Sequence, residues 1–210
     1  MIRQRTSGHV FLRVFLSDSR AASATEFVLV LPLLVLLVFA TIDAGWYAWQ
    51  INLAEKATQA GARMAVVTDP VATGLVSEDY NTATYGLTQG DVIPASALGL
   101  LTCKGSSCTC TTSPCPSSLT FNSTAFNAIV SRMQAYDASV KAANVVVEYR
   151  GSGLGYAGDP SGMQIAPLVT VRLQNMQMNA VSSFIWKAAI NLPDFAYSLT
   201  MEDGNGSKSN

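Results

Sequence analysis

Apolar positions are distributed very unevenly along this chain. From Phe27 to Ile42 the sequence reads FVLVLPLLVLLVFATI, with no charge and no polar alternation. At about 1.5 Å per residue, the stretch from Ala21 to Ile42, charged only at Glu26, matches a hydrocarbon core of roughly 30 Å. Asp43 ends the run, and Trp46, Tyr47 and Trp49 follow where an interfacial aromatic belt belongs. The pattern then passes directly into QINLAEKATQAGARMAVV, which reads as further helix. A cleaved secretory signal has a shorter apolar core and a small-residue cut site after it, so a retained anchor fits better.

Small residues mark one face of this helix. Ala40, Ala44 and Ala48 recur every four positions, and Ala54, Ala57, Gly61 and Ala65 every three or four. Such a face permits close approach of a neighbouring helix, although alanine is also simply a good helix former. Pro32 lacks the N–H that would bond to Val28, which predicts a local kink that membrane helices tolerate. Thr68-Asp69-Pro70 ends the helix, because proline restricts the residue before it.

Beyond that point the pattern changes character. Residues 71–120 are rich in Gly, Ser, Thr, Asn and Pro and read as loop with short strands. Residues 122–143 read as a helix capped by Asn122 or Ser123, with Phe126, Ile129, Val130, Met133, Tyr136 and Val140 as its core stripe. Residues 145–149 and 168–173 are β-branched runs that predict two strands of one antiparallel sheet. A second helical piece over 180–189 and a closing strand near 196–201 complete an α+β domain with its sheet packed on helices.

Charge orients the whole. Arg3, Arg5, Arg13 and Arg20 precede the apolar run against a single Asp18, which predicts a cytoplasmic basic leader and an extracytoplasmic remainder. Charged residues make up only 13% of the 210, about half the usual share, and the net charge of -1 gives no reason to expect nucleic acid, which normally calls for a clustered basic face. Glu26 stands out at the inner edge of the run, beside Phe27. A carboxylate carried to the bilayer centre costs on the order of 2.5–3.5 kcal/mol, so Glu26 either faces headgroups or finds a cation.

Candidate chemistry in the outer part is sparse. Cys103, Cys108, Cys110 and Cys115 fit an oxidising compartment, and four cysteines allow three pairings. Cys108 with Cys110 is the least favourable, since only one residue separates them, and the spacing also lacks the paired knuckles of a zinc site. Gly153, Gly155 and Gly158 form a nominal G-x-G-x-x-G, but Asp159-Pro160 directs a turn where a dinucleotide site needs a helix. The sole histidine, His9, lies in the leader, so a histidine-dependent catalytic set is excluded from the outer domain. Glu78, Asp79, Asp91, Glu148 and Asp159 read as solvated carboxylates that nothing draws together. No cofactor is called for.

The residues from Ala21 through Glu26-Phe27 to Pro32, followed by the apolar run and then Ala54-Glu55-Lys56-Ala57 closing on Gly61-Ala62-Arg63, resemble the N-terminus of TadE-like minor pilins of the Tad (Flp) type IVb pilus system. The likeness covers residues 20–67, and Leu199-Thr200-Met201-Glu202 is similar to the family's ending. It implies cleavage by a prepilin peptidase between Ala21 and Ala22, with Ala21 standing where the family usually has glycine. It further implies that the freed amine of Ala22 pairs with Glu26 of a neighbouring subunit, and that Phe27 shares in that contact.

The expected organisation is a leader over 1–21, a transmembrane and continuing helix over 22–68, and a pilin-like domain over 69–210 with a disulfide loop at 103–115. The expected protein is a non-enzymatic, single-pass inner-membrane subunit with its C-terminal domain periplasmic or extracellular, acting in pilus assembly or adhesion. Its implied partners are other pilins, the prepilin peptidase, the inner-membrane assembly machinery and the lipid bilayer. Two alternatives stand beside this reading: a stand-alone anchored binding module, which predicts no processing, and a secreted enzyme, which predicts release of the domain without its apolar helix.

Overall fold

The structure, a computed structural model, describes residues 19–160, 162–183 and 189–201. The leader up to Asp18, with His9, and residues 202–210, with Glu202, lie outside them. The chain divides into two compact units, one of residues 1–47 with 179–188 and one of residues 48–178 with 189–210.

Helix α1, Ser19–Val67, runs through Pro32 without interruption and ends before Thr68-Asp69-Pro70. Residues 23–38, which hold most of its apolar run, are exposed throughout. This is one helix long and apolar enough to cross a membrane, and none of its most apolar window is buried by the rest of the chain.

The second unit is built on a five-stranded antiparallel sheet. Its strands are β1 (Leu101–Lys104), β2 (Ser107–Cys110), β3 (Val145–Arg150), β4 (Leu168–Leu173) and β7 (Phe195–Thr200), in the order β2-β1-β3-β4-β7. Two short strands, β5 (Gln177–Asn179) and β6 (Ala189–Asn191), pair separately. In β3 and β4 the side-chain period of two places Val147 opposite Val171, Val145 opposite Leu173 and Tyr149 opposite Val169, all buried. On the other face Glu148 and Arg172 form an ion pair at 2.9 Å.

Helix α3, Ser123–Gln134, supplies the opposing layer. Asn122 caps it, its side-chain oxygen accepting from the N–H groups of Thr124 and Ala125. Phe126, Ile129, Val130 and Met133 are buried as the apolar stripe requires. The short helix α2, Gly74–Ser77, and two 3-10 turns fill the connections. The end of α1 is tied to this body at Val71, whose N–H donates to the buried Tyr149 hydroxyl at 2.9 Å and whose carbonyl accepts from Asn122 N–H at 2.7 Å.

Two expectations are corrected. The helix expected over 122–143 stops at Gln134, and beyond it Tyr136 is exposed where a core position was expected. Arg132 lies over its ring, 5.6 Å from the centroid, so the apolar face serves a cation at the surface. Of the helix expected over 180–189, the described residues show a turn over Val181 and Ser182 and a helical Ser183, while residues 184–188 lie outside the described ones. Glu78 and Glu148 are not solvated: Glu78 is 9% exposed and the Glu148 side chain 15%.

Candidate assembly site on the N-terminal helix

Glu26 and Phe27 sit on the exposed surface of α1, and Phe27 is 63% exposed. Among the described residues, no cation pairs with Glu26. Ala21 and Ala22 belong to the first turns of the same helix. Pro32 is exposed one and a half turns further on. The first half of α1 therefore presents one carboxylate, an aromatic ring and a continuous aliphatic surface, a set that can bury itself only against lipid or another helix.

The small residues later in α1 have a different neighbour. Ala54 and Ala57 are fully buried, Gly61 is buried, and Ala65 is 1% exposed. A Cβ on Gly61 would stand 2.7 Å from Met133 Cγ and 3.4 Å from Val171 Cγ1, so glycine lets α1 seat against α3 and β4. Thr58, on the same face, turns its hydroxyl back to the Ala54 carbonyl at 2.7 Å. The stripe formed by Ala54, Ala57 and Gly61 is occupied by the chain's own domain.

Two disulfides shape the outer loop. Cys103 and Cys108 face each other across the β1–β2 hairpin and are bonded, with Cα atoms 4.0 Å apart. Its two-residue turn begins at Gly105, whose φ of 67° suits glycine. Cys110 is bonded to Cys115, with Cα atoms 5.9 Å apart. All four sulfurs are taken up, which leaves no thiolate for a metal. Gly153, Gly155 and Gly158 lie in a loop with positive φ angles, and Gly155 bridges to Ile165 with no helix beginning there.

Sequence reasoning missed two polar features. Glu78 is held by the Ser117 N–H and hydroxyl, each at 2.7 Å, and by the Tyr85 hydroxyl at 2.8 Å. Burial pushes its carboxyl up, and the hydrogen bonds from Ser117 and Tyr85 more than reverse this, leaving it below the usual glutamate value. Burial and the adjoining carboxylate push the Tyr85 phenol up to about 12. The second feature is a groove of about 660 Å³ where Lys56, Arg63 and Arg132 surround Met64 and Tyr136. Lys56 and Arg63, seven residues apart, fall on one helix face, a spacing visible in the sequence.

Geometry thus defines a class: a protein with one span-length apolar helix carrying a carboxylate near its start and continuing into a disulfide-bonded α+β domain. Residues 21–63 match the family model for TadE-like proteins, to which that stretch of the chain is similar. The match holds Glu26, Phe27, Pro32, Ala54, Ala57 and Gly61 and leaves the sheet domain outside it. No curated protein and no solved structure matches the chain.

Proposed function

We propose that this protein is a minor pilin-like structural subunit of a Tad-type pilus, anchored in the inner membrane by the first half of α1, with its sheet domain on the periplasmic or extracellular side. The observation that carries the reading is the coincidence of the TadE-like match with the exposed apolar segment. The part of the chain that most needs an external apolar environment lies within the part that matches the TadE-like family model.

The mechanism follows from charge. Cleavage by a prepilin peptidase between Ala21 and Ala22 creates an ammonium group four residues before Glu26. In lipid neither charge is tolerable alone, so the amine of one subunit and the carboxylate of the next stabilise each other as a subunit adds. An out-of-register neighbour leaves both unpaired, which makes the pair a register device. Phe27 and the aliphatic surface after it supply close packing without selecting the register themselves. The work of the protein in this reading is structural, in assembly or adhesion, with other pilins and the inner-membrane assembly machinery as partners.

N-terminal sequencing and intact-mass measurement of the membrane-extracted protein test the processing step. The expected chain begins at Ala22, and recovery of a chain still beginning at Met1 would remove the amine on which the pairing depends. Deletion of the gene is expected to abolish surface filaments, with rescue by the intact gene and not by Glu26→Ala. Normal filaments in the deletion strain would refute the assembly role.

A further inference from the structure

The later turns of α1 separate two grooves of opposite charge, both within the unit formed by residues 48–178 and 189–210. Beside α3 lies the groove of about 660 Å³, lined by Lys56, Arg63 and Arg132 together with Met64, Val67 and Tyr136. Beside β7, a groove of about 360 Å³ is lined by Glu55 and Asp194 together with Phe195 and Tyr197. Gln59 lines both. Helix geometry accounts for the separation: at about 100° per residue, Lys56 and Arg63 fall roughly 60° and 40° to one side of Gln59, and Glu55 roughly 40° to the other.

Neither set of charges is taken up within the chain. Among the described residues, none of Lys56, Arg63, Arg132, Glu55 and Asp194 takes part in an ion pair. Arg132 lies over the Tyr136 ring, and Asp194 accepts from the Asn175 N–H at 3.4 Å. Among the described residues, no carboxylate lines the basic groove and no cation lines the acidic one. Val67 and Tyr136 are 53% and 45% exposed, so the basic groove joins an uncovered apolar surface to a set of cations, the composition of an interface. Like charges gathered in one groove repel each other in a lone molecule and attract a surface bearing carboxylates.

We propose that the two grooves are the two halves of one contact between copies of this chain: the flank bearing Glu55 and Asp194 of one copy docks against the flank bearing Lys56, Arg63 and Arg132 of the next. A second copy is the occupant the charges select, because the chain itself carries the complementary flank, and either flank pressed against its own kind is repelled. The contact is therefore head-to-tail. It leaves one free flank at each end of a pair, so a third copy adds as the second did. The inference rests on the assembly reading for its role, and it adds a place of contact between sheet domains that does not involve Glu26.

The test uses the full chain with its disulfides intact, in vesicles of phosphatidylethanolamine and phosphatidylglycerol, with photoreactive p-benzoylphenylalanine in place of Tyr136. Illumination is expected to yield adducts of two and more copies, their far ends mapping by mass spectrometry to residues 55–59 or 194–197, with a yield that falls as salt rises. Lys56→Glu with Arg63→Glu is expected to abolish these adducts. Glu55→Lys with Asp194→Asn is expected to do the same, the asparagine keeping an acceptor for the Asn175 N–H. Reconstituting the two variants together is expected to restore the adducts, since each supplies the flank the other lacks. Adducts to lipid alone, within one copy alone or to other residues of the second copy would overturn the proposal, as would adducts unchanged in both variants or a loss that mixing does not restore. Absence of adducts from a subunit whose filaments are still abolished by Glu26→Ala would overturn this contact and leave the assembly reading in place. Normal filaments in the deletion strain would overturn the assembly reading, while adducts at the mapped residues would still support the contact.

Discussion

Residues 23–38 and residues 54–65 lie on the same helix, and both are rich in residues that prefer to leave water. Their surroundings differ completely. Every position from 23 to 38 is exposed, whereas Ala54, Ala57, Thr58, Ala62 and Ala65 are 1% exposed or less. Side-chain size explains the difference. Long aliphatic side chains present area that lipid or a partner can cover, while a small-residue face brings the helix axis close to a body already present. Periodicity of small residues therefore announces close packing without naming the partner, and here the partner of the later stripe is the chain's own sheet and α3.

The sharpest break in that comparison is to remove bulk from each side. Phe126→Ala, in the buried stripe of α3, is expected to cost about 3–5 kcal/mol of domain stability, read by thermal unfolding in mild detergent. Leu34→Ala, on an exposed position, is expected to leave that unfolding transition where it was. Equal losses would mean that the domain also buries the apolar run.

A matched pair of glycines sharpens it further. Gly61→Val forces a branched side chain against Met133 and is expected to destabilise by about 1–3 kcal/mol. Gly45 has nothing within 4 Å of a Cβ, so Gly45→Val should leave domain stability unchanged. The outer loop offers an intermediate effect. Cys110→Ser with Cys115→Ser opens a short loop and is expected to cost roughly 2 kcal/mol, with no effect on membrane extraction of the protein.

Much of this architecture was legible because it is written in local periods. The alternation of Val145, Val147 and Tyr149 against Val169, Val171 and Leu173 named β3 and β4, and Asn122 announced the start of α3. The end of α3 was not legible, since Tyr136 and Val140 continue the apolar spacing after the backbone has left the helix. The segment that matches the TadE-like family model was legible as a motif, from Glu26 to Gly61, because its determinants are consecutive turns of one helix. What faces each turn was not, because that depends on residues more than seventy positions away, such as Met133 and Val171.

Glu78 makes the same point in its chemistry, and its predicted effect is the smallest. Beside Asp79 in a polar stretch it reads as solvated; its donor Ser117 lies 39 positions away, and only folding brings them together. Because its carboxyl is held below the ordinary value, the stability it contributes is fully present above about 4.3, the unfolded glutamate value, and is lost as pH falls through the lower folded value. Tyr85 works in the opposite direction. Its phenol is raised to about 12, so its contribution is complete below about 10 and disappears as pH rises toward 12. Glu78→Gln keeps the shape of the side chain and removes the charge. It is expected to cost about 1 kcal/mol at neutral pH and to flatten the acid limb of the stability curve, measured by denaturant unfolding between pH 3 and 7. An acid limb as steep as in the parent protein would assign that pH dependence to other carboxylates and leave Glu78 a neutral hydrogen-bonding partner of Ser117 and Tyr85 throughout.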